Sequence, residues 1–295
     1  MTGIICSCEK EYDMTNSADG PDECVRVGTW NVQWATPRSK RAPLVADMLA
    51  TPDCDILCVT EGDAGVLPKG GYVIDAGTDW GYPLPKASPG RRKVLLWSRW
   101  PWTPVFDALQ DSLPGGRLAA GVTETPVGDV TVVGVCIPWG GAHVNSGRRD
   151  RVQWQDHLDW LGGFEQLSYA RPRRRAIVLG DFNQRSPRGG KLHSSLQSAF
   201  ARFQIATSGF VTEASTRLGA NGMELREVTL ADAPSANGKV QLIDHIAHSQ
   251  DLVLRQPTPK RDGTRQVGVF PKEVDGTRLS DHTGVWFDLM LRNGP

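Results

Sequence analysis

Ala176-Ile177-Val178-Leu179-Gly180-Asp181-Phe182-Asn183 is the stretch of sequence that decides the fold. A short apolar run that stops at polar residues is typical of a β-strand buried on both faces. Asp181 and Asn183 follow this run at the end of the strand, where a folded scaffold can hold polar groups rigidly beside solvent. The stretch therefore predicts a central strand of an α/β domain, with chemical groups at its end.

The same arrangement recurs along the chain. Asn31 and Glu61 follow two other apolar runs, Asp244 lies inside a third, and Asp281-His282 precede a fourth. Helical spacing predicts helices around residues 44–49 and 150–165, whereas the Gly-, Ser-, Ala- and Thr-rich segment 186–240 gives the weakest signal. The predicted strands are residues 25–30, 55–60, 93–98, 130–137, 176–180, 241–247 and 285–289.

Each polar residue alone has a structural explanation, such as a turn aspartate or a surface histidine. Together, and in this order, they resemble the endonuclease/exonuclease/phosphatase family over about 250 residues. The resemblance implies an α/β four-layer sandwich, in which two packed mixed β-sheets are flanked by helices and the strands at 55–60 and 176–180 are central. The matching motifs are Thr29-Trp30-Asn31-Val32-Gln33, Cys58-Val59-Thr60-Glu61, Leu179-Gly180-Asp181-Phe182-Asn183, Leu242-Ile243-Asp244-His245-Ile246 and Leu279-Ser280-Asp281-His282.

The resemblance also implies magnesium-dependent hydrolysis of phosphoesters, with Mn²⁺ as a possible substitute. A hard divalent cation takes oxygen ligands, and it can neutralise the charge of a phosphodiester. By resemblance, Glu61, Asp281 and Asn31 are the metal ligands. Asp181 activates or orients the attacking water, and Asn183 holds the water or the phosphate. His282 contacts the phosphate or transfers a proton, and Asp244 orients it.

One position departs from the family pattern. Many members carry a phosphate-contacting His or Tyr after the central strand, but here Cys136 or Ile137 stands at that place. Alternation along the strand favours Cys136 as a packed core residue. His143, a few residues later, is the alternative phosphate contact, against an ordinary role in a loop.

Composition sets broad limits on the protein. The chain has 295 residues, 39% of them hydrophobic, and no net charge, as expected for a globular protein. Residues 1–24 are predicted to be a flexible extension, and residues 25–295 one catalytic domain. We expect no signal peptide, no membrane span and no obligate protein partner. Six cysteines then suit reduced thiols in the cytoplasm; a zinc site at Cys6-x-Cys8 with Cys24 is the alternative, but it lacks a recognisable fourth ligand.

Three classes of function remain open from the sequence. The first is a nuclease acting on DNA or RNA, and the second is a phosphoesterase acting on an inositol phosphate, a nucleotide or a lipid head group. The third is a non-catalytic binding module, which the retained site residues oppose. Four arginine-rich clusters could track a phosphate backbone, although solvated surface is the plainer interpretation of each. From these clusters and the loop we take His143, Arg148, Arg185 and Arg188 as substrate-binding candidates.

Overall fold

The computed structural model describes residues 23–80, 89–172, 174–186, 189–219, 222–232, 241–255 and 264–292. Cys6, Cys8 and Arg188 lie outside these residues, as does nearly all of the predicted extension. Every strand predicted from the sequence is present. No helix in the described part of the chain is long and apolar enough to cross a membrane.

Besides three short 3₁₀ helices, three α-helices and seventeen strands are formed by the described residues. The helices are α1 (Ala42–Ala50), α2 (Gln155–Phe164) and α3 (Lys191–Ala199). The strands are β1 (Cys24–Asn31), β2 (Ile56–Asp63), β3 (Tyr72–Asp75), β4 (Arg91–Ser98), β5 (Trp102–Pro104), β6 (Leu118–Thr125), β7 (Gly128–Cys136), β8 (Ala176–Asp181), β9 (Phe203–Ile205), β10 (Phe210–Leu218), β11 (Glu224–Ala231), β12 (Asp244–Ser249), β13 (Leu252–Leu254), β14 (Arg265–Phe270), β15 (Glu273–Val274), β16 (Thr277–Arg278) and β17 (Gly284–Leu291).

The long strands form two mixed sheets. Sheet A has the order β10-β11-β14-β17-β1-β2-β4-β3, with β13 also paired to β17. Sheet B has the order β5-β6-β7-β8-β12-β9. The predicted central strands are therefore confirmed, because β2 lies between β1 and β4, and β8 lies between β7 and β12.

The apolar core has three parts that define four layers. Val27, Ile56, Val132 and Leu179 belong to the core between the two sheets. The outer face of sheet A packs against α1, and that of sheet B packs against α2 and α3. This is the predicted sandwich of two sheets flanked by helices, and it exists because the inner strands carry apolar side chains on both faces.

Three details differ from the sequence-based expectations. Glu61 lies inside β2 rather than after it. Trp154 precedes α2 in a left-handed conformation, so the helix predicted around residues 150–165 begins only at Gln155. The weak segment 186–240 contains α3, β9, β10 and β11, so it is largely regular structure.

Candidate active site

Asp181 and Asp244 are neighbours across two strands of sheet B. Asp181 ends β8, Asp244 begins β12, and the two residues are directly paired in the antiparallel ladder. Their side chains are 1% and 0% exposed. Two carboxylates thus lie side by side, buried, at one end of the sheet.

Asn31, at the end of β1 in sheet A, donates hydrogen bonds to both carboxylates. Its Nδ2 donates to Asp181 Oδ2 at 2.9 Å, and its backbone N–H donates to Asp244 Oδ2 at 2.8 Å. Its own carbonyl accepts a hydrogen bond of 2.6 Å from Ser280 Oγ. The site is therefore built across the junction of the two sheets.

His282 is oriented by Asp244. Its Nδ1 lies 2.8 Å from Asp244 Oδ1, and its Nε2 lies 4.0 Å from Asp281 Oδ1. Burial lowers the pKa of His282, but the hydrogen bond and charge of Asp244, with the charges of Asp181 and Asp281, outweigh burial and raise the pKa to about 9. The imidazole is therefore protonated at neutral pH, and its Nε2–H is held in a fixed direction.

The remaining carboxylates are disfavoured in their charged form. Burial, and then the charge of Asp244, raises the pKa of Asp181 to about 7. Burial also raises the pKa of Glu61, although His282 and Arg117 partly offset it. A buried cluster of oxygen donors that resists losing its protons is stabilised by a cation. This donor set fits Mg²⁺, which prefers carboxylate and amide oxygens.

Left-handed backbone is concentrated at this end of the sheets. Gln33, Glu61 and Asn183 have φ angles of 47°, 49° and 50°. Such conformations are uncommon outside glycine and cost energy, and they cluster at functional sites. Two of these three residues are predicted site residues, and Gln33 donates its N–H to Oδ1 of Asn31 at 2.8 Å.

Asn183 holds Asp181 in place. Its backbone N–H donates to Asp181 Oδ1 at 2.8 Å. Its Nδ2 donates to Asp181 Oδ2 and to the carbonyl of Ile137, both at 2.9 Å. Because both amide hydrogens are used, Oδ1 of Asn183 is the atom that can face a ligand.

The other predicted residues have more varied surroundings. The side chain of Asp281 is 44% exposed beside His282. His143 is buried and its Nδ1 is hydrogen-bonded with Asp156, outside the cluster formed by Asp181, Asp244 and His282. Arg148 pairs with Asp150 at 3.5 Å, and Arg185 is exposed. Arg188 lies outside the described residues.

Two basic residues that were not predicted as site residues lie near Glu61. Arg117 is 8% exposed, and its Nη1 donates to the carbonyl of Cys136 at 2.9 Å, at the position where the family's His or Tyr is missing. Lys93 is 3% exposed and stands opposite Glu61, because Thr60 pairs with Val94 and Gly62 with Arg92. Lys93 is part of Arg91-Arg92-Lys93, one of the four arginine-rich clusters, whereas the only signal for Arg117 in the sequence is its position before an apolar run.

Cys136 itself is a core residue. It is 1% exposed and packs in the core between the sheets, as alternation along β7 predicted. Burial raises the pKa of its thiol. It is therefore a neutral packing group, and the polar contact at this position comes from Arg117 instead.

Asp244→Asn should lower the pKa of His282 from about 9, because the hydrogen bond and the charge of Asp244 are the largest influences that raise it. Burial, which disfavours the imidazolium, is then opposed only by the charges of Asp181 and Asp281. NMR titration of the imidazole in metal-free protein measures this directly. The backbone amide resonances of α3 serve as a reference that should not change.

The same pairing has a defined effect on stability. Because the folded-state pKa of His282 is raised, its contribution is complete below pH about 6.5 and is lost as pH rises through about 9. The contribution of His282 to stability is measured as the difference in melting temperature between the parent and His282→Gln at each pH. The comparison with the parent is needed because burial lowers the pKa of Lys93 to about 7, so the contribution of Lys93 to stability rises with pH over the same range. A difference that does not change with pH would contradict the assigned pair.

Comparisons with known proteins agree with this fold. The sequence profile described as Endonuclease/Exonuclease/phosphatase family matches residues 28–282. The 3' phosphatase NExo from Neisseria, bound to a product DNA hairpin, is similar with a TM-score of 0.58 at 18% identity, covering 89% of this chain and 98% of that chain. No curated protein sequence matches the chain.

Two further solved structures share the architecture at low identity. TDP2 from D. rerio, complexed with a single-strand DNA product, has a TM-score of 0.57 at 11% identity, covering 91% of this chain and 99% of that chain. Sphingomyelinase C from Streptomyces griseocarneus has a TM-score of 0.50 at 14% identity, covering 90% and 99%. The fold, the ordered motifs and the match over residues 28–282 together lead to one conclusion: this chain belongs to the endonuclease/exonuclease/phosphatase family.

Proposed function

We propose that the protein is a magnesium-dependent phosphodiesterase and that its substrate is nucleic acid. The observation that carries the proposal is the network of Asn31, Asp181, Asp244 and His282 at the junction of the two sheets. It combines buried oxygen donors with a protonated histidine, which is the charge pattern needed to bind and hydrolyse a phosphate ester.

Glu61, Asn31 and Asp281 are the residues that would hold Mg²⁺, or Mn²⁺ in its place. When bound, the ion neutralises charge on the phosphate and on the leaving oxygen. Oδ1 of Asn31 retains a second lone pair besides the one that accepts from Gln33. Asp181 and Asp244 are not needed as ligands in this assignment, because they already accept hydrogen bonds from Asn31 and His282.

Asp181 and Asn183 act on the attacking water. The pKa of Asp181, raised to about 7 by burial and by Asp244, suits a group that accepts a proton near neutral pH. Oδ1 of Asn183 is left as an acceptor for the same water, since its amide hydrogens are committed to Asp181 and Ile137. The water is thereby oriented by two acceptors at the end of β8.

His282 acts on the phosphate side. Asp244 fixes Nδ1, so Nε2–H is left to donate to a phosphoryl oxygen or to give a proton to the leaving oxygen. Arg117 adds positive charge on the side of Cys136, and Lys93, whose pKa burial lowers to about 7, carries part of a positive charge beside Glu61 at neutral pH. These two residues take the place of the phosphate contact that the family's His or Tyr would make.

A nucleic acid is favoured over a small ester by the aromatic and basic residues beside Glu61. The backbone N–H of Trp34 donates to the backbone carbonyl of Glu61 at 2.5 Å. The centroid of the Trp34 ring lies 4.9 Å from that of the Trp80 ring. Arg91 lies over Trp34 at 5.8 Å, and Lys93 lies over Trp80 at 5.1 Å. Trp34 and Arg91 are half-buried and suit a base and a phosphate of a polynucleotide, whereas Trp80 and Lys93 are buried and support them from behind.

A small or lipid-derived phosphoester is the second candidate substrate. Sphingomyelinase C has the same fold, just as the two DNA-bound proteins do.

We place the protein in the cytoplasm, where the free thiols of Cys24, Cys54, Cys58 and Cys136 would remain reduced.

The proposed function is tested by a substrate screen with and without metal. Plasmid nicking, oligonucleotide cleavage and release of phosphate or head group from small and lipid phosphoesters are measured with Mg²⁺, with Mn²⁺ and with excess chelator. We expect cleavage of nucleic acid that chelator abolishes. Full activity in chelator would exclude the mechanism, and hydrolysis of small esters alone would replace the substrate assignment.

Glu61→Gln should raise the Mg²⁺ concentration needed for half-maximal activity by about 10- to 100-fold or more, the range found even for groups that only support metal ligands. A neutral amide is a poorer ligand than a carboxylate. Metal titration of the initial rate is the measurement, and Glu124→Gln, an exposed residue of β6, is the matched control. Equal metal dependence of both variants would remove Glu61 from the ligand set.

A further inference from the structure

A basic groove crosses sheet B at the end away from Asp181. It consists of three adjoining cavities of 690, 240 and 370 Å³, of which the first two share Pro172 and Arg174, and the last two share Gln250. Its walls include Val105 beside β5, Val122 of β6, Thr131 of β7, Ser249 of β12 and Gln204 of β9. With strands about 4.8 Å apart, it extends over about 24 Å.

Five arginines line this groove: Arg171, Arg174, Arg175, Arg202 and Arg292. Only two acidic residues, Asp129 and Asp251, line it with them. Among the described residues, no carboxylate lies within 4.0 Å of any of these five guanidinium groups, whereas arginines elsewhere, such as Arg26, Arg99 and Arg217, form close ion pairs. A protein of zero net charge thus keeps a local excess of unpaired positive charge here.

The position of the groove separates it from the active site. Arg174 and Arg175 precede β8, whereas Asp181 ends it. A strand of six residues is about 20 Å long. A phosphate bound among these arginines therefore cannot be the one that reaches His282.

We propose that this groove, which we call the arginine groove, binds a single strand of polynucleotide through its phosphates. Guanidinium groups match phosphate oxygens in paired hydrogen bonds, and a row of them along a groove follows a flexible phosphate chain. Phe106, next to Val105 of the groove wall, is 70% exposed and offers a ring on which a base can stack. A concave groove suits a chain better than the flat surface of an anionic membrane.

Binding is tested on metal-free protein in excess EDTA, so that the result does not depend on hydrolysis. Fluorescence anisotropy follows a labelled single-stranded oligonucleotide of about 30 nucleotides at several salt concentrations. We expect Arg174→Ala/Arg202→Ala to weaken binding about tenfold or more and to reduce the salt dependence by about 1.4 in the log–log slope, or about 0.7 for each phosphate that is no longer neutralised. Both side chains are exposed, so the fold should be kept, which circular dichroism checks.

Two further variants make the result specific. The sheet A control, Lys69→Ala/Arg226→Ala, removes the same charge from two exposed positions, one in the loop between β2 and β3 and one on β11, and should bind as the parent does. Arg174→Lys/Arg202→Lys should keep most of the salt dependence. No binding by the parent, or equal losses in the alanine variant and the sheet A control, would overturn the proposal. It would also be overturned if the alanine variant lost binding to phosphatidylserine vesicles but kept oligonucleotide binding, because the surface would then face a membrane.

Discussion

Asp181→Asn is expected to lower turnover by about two to four orders of magnitude, the range for loss of an acid–base or charge-stabilising group. The neutral amide cannot accept the proton of the attacking water. In the parent, three N–H groups donate to the two carboxylate oxygens of Asp181. The asparagine side chain has only one oxygen, and its NH₂ group cannot accept these hydrogen bonds. Single-turnover kinetics on the substrate identified by the screen measures the effect.

Asp55→Asn is the matched control for this variant. Asp55 also accepts a backbone N–H and pairs with an arginine, but it precedes β2 at the opposite end of the sheet. The turnover of Asp55→Asn should equal that of the parent. The stability of Asp181→Asn should change little, because relief of the repulsion between Asp181 and Asp244 offsets the lost hydrogen bonds. If Asp181→Asn kept its activity, or unfolded, Asp181 would be a structural residue.

Gly180→Ala is expected to destabilise the fold by about 3–5 kcal/mol, because overpacking and left-handed strain add together. Gly180 has a φ angle of 147°, and a Cβ atom there would overlap the carbonyl oxygen of Val135 on β7. The pair of central strands would have to separate next to Asp181. Chemical denaturation of the two proteins gives the difference in free energy of unfolding.

Gly162→Ala provides the opposite control. Gly162 is exposed in α2, and a Cβ atom there meets nothing within 4 Å. Alanine should stabilise this helix by about 0.5–1 kcal/mol. If Gly180→Ala were as stable as the parent, the close approach of β7 and β8 would not be what requires glycine.

Local patterns were enough to predict seven strands, namely β1, β2, β4, β7, β8, β12 and β17, and the polar residues that follow their apolar runs. Asp181, Asn183 and Glu61 follow long apolar runs, and such runs report burial directly. The strands of segment 186–240 were not predicted, because β10 and β11 carry mixed side chains and are stabilised by pairing with each other and with β14. Pairing of this kind does not require an apolar run, so it leaves no periodic signal in the sequence of either strand.

The positions of the site residues were predictable, but their contacts were not. That Asp244 pairs with Asp181 depends on the register of β12 against β8. That Arg117 reaches Cys136 depends on the pairing of β6 with β7. The left-handed conformation of Glu61 is also imposed by the surrounding structure, because glutamate has no intrinsic preference for it. These are properties of long-range packing.

The pairing of β1 with β17 joins the two ends of the described chain in the middle of sheet A. Asn31 and His282 therefore meet only after β17 has been inserted beside β1. A growing chain on the ribosome has no complete site until β17 has been synthesised. The proposed activity should therefore be absent from any chain that stops before β17.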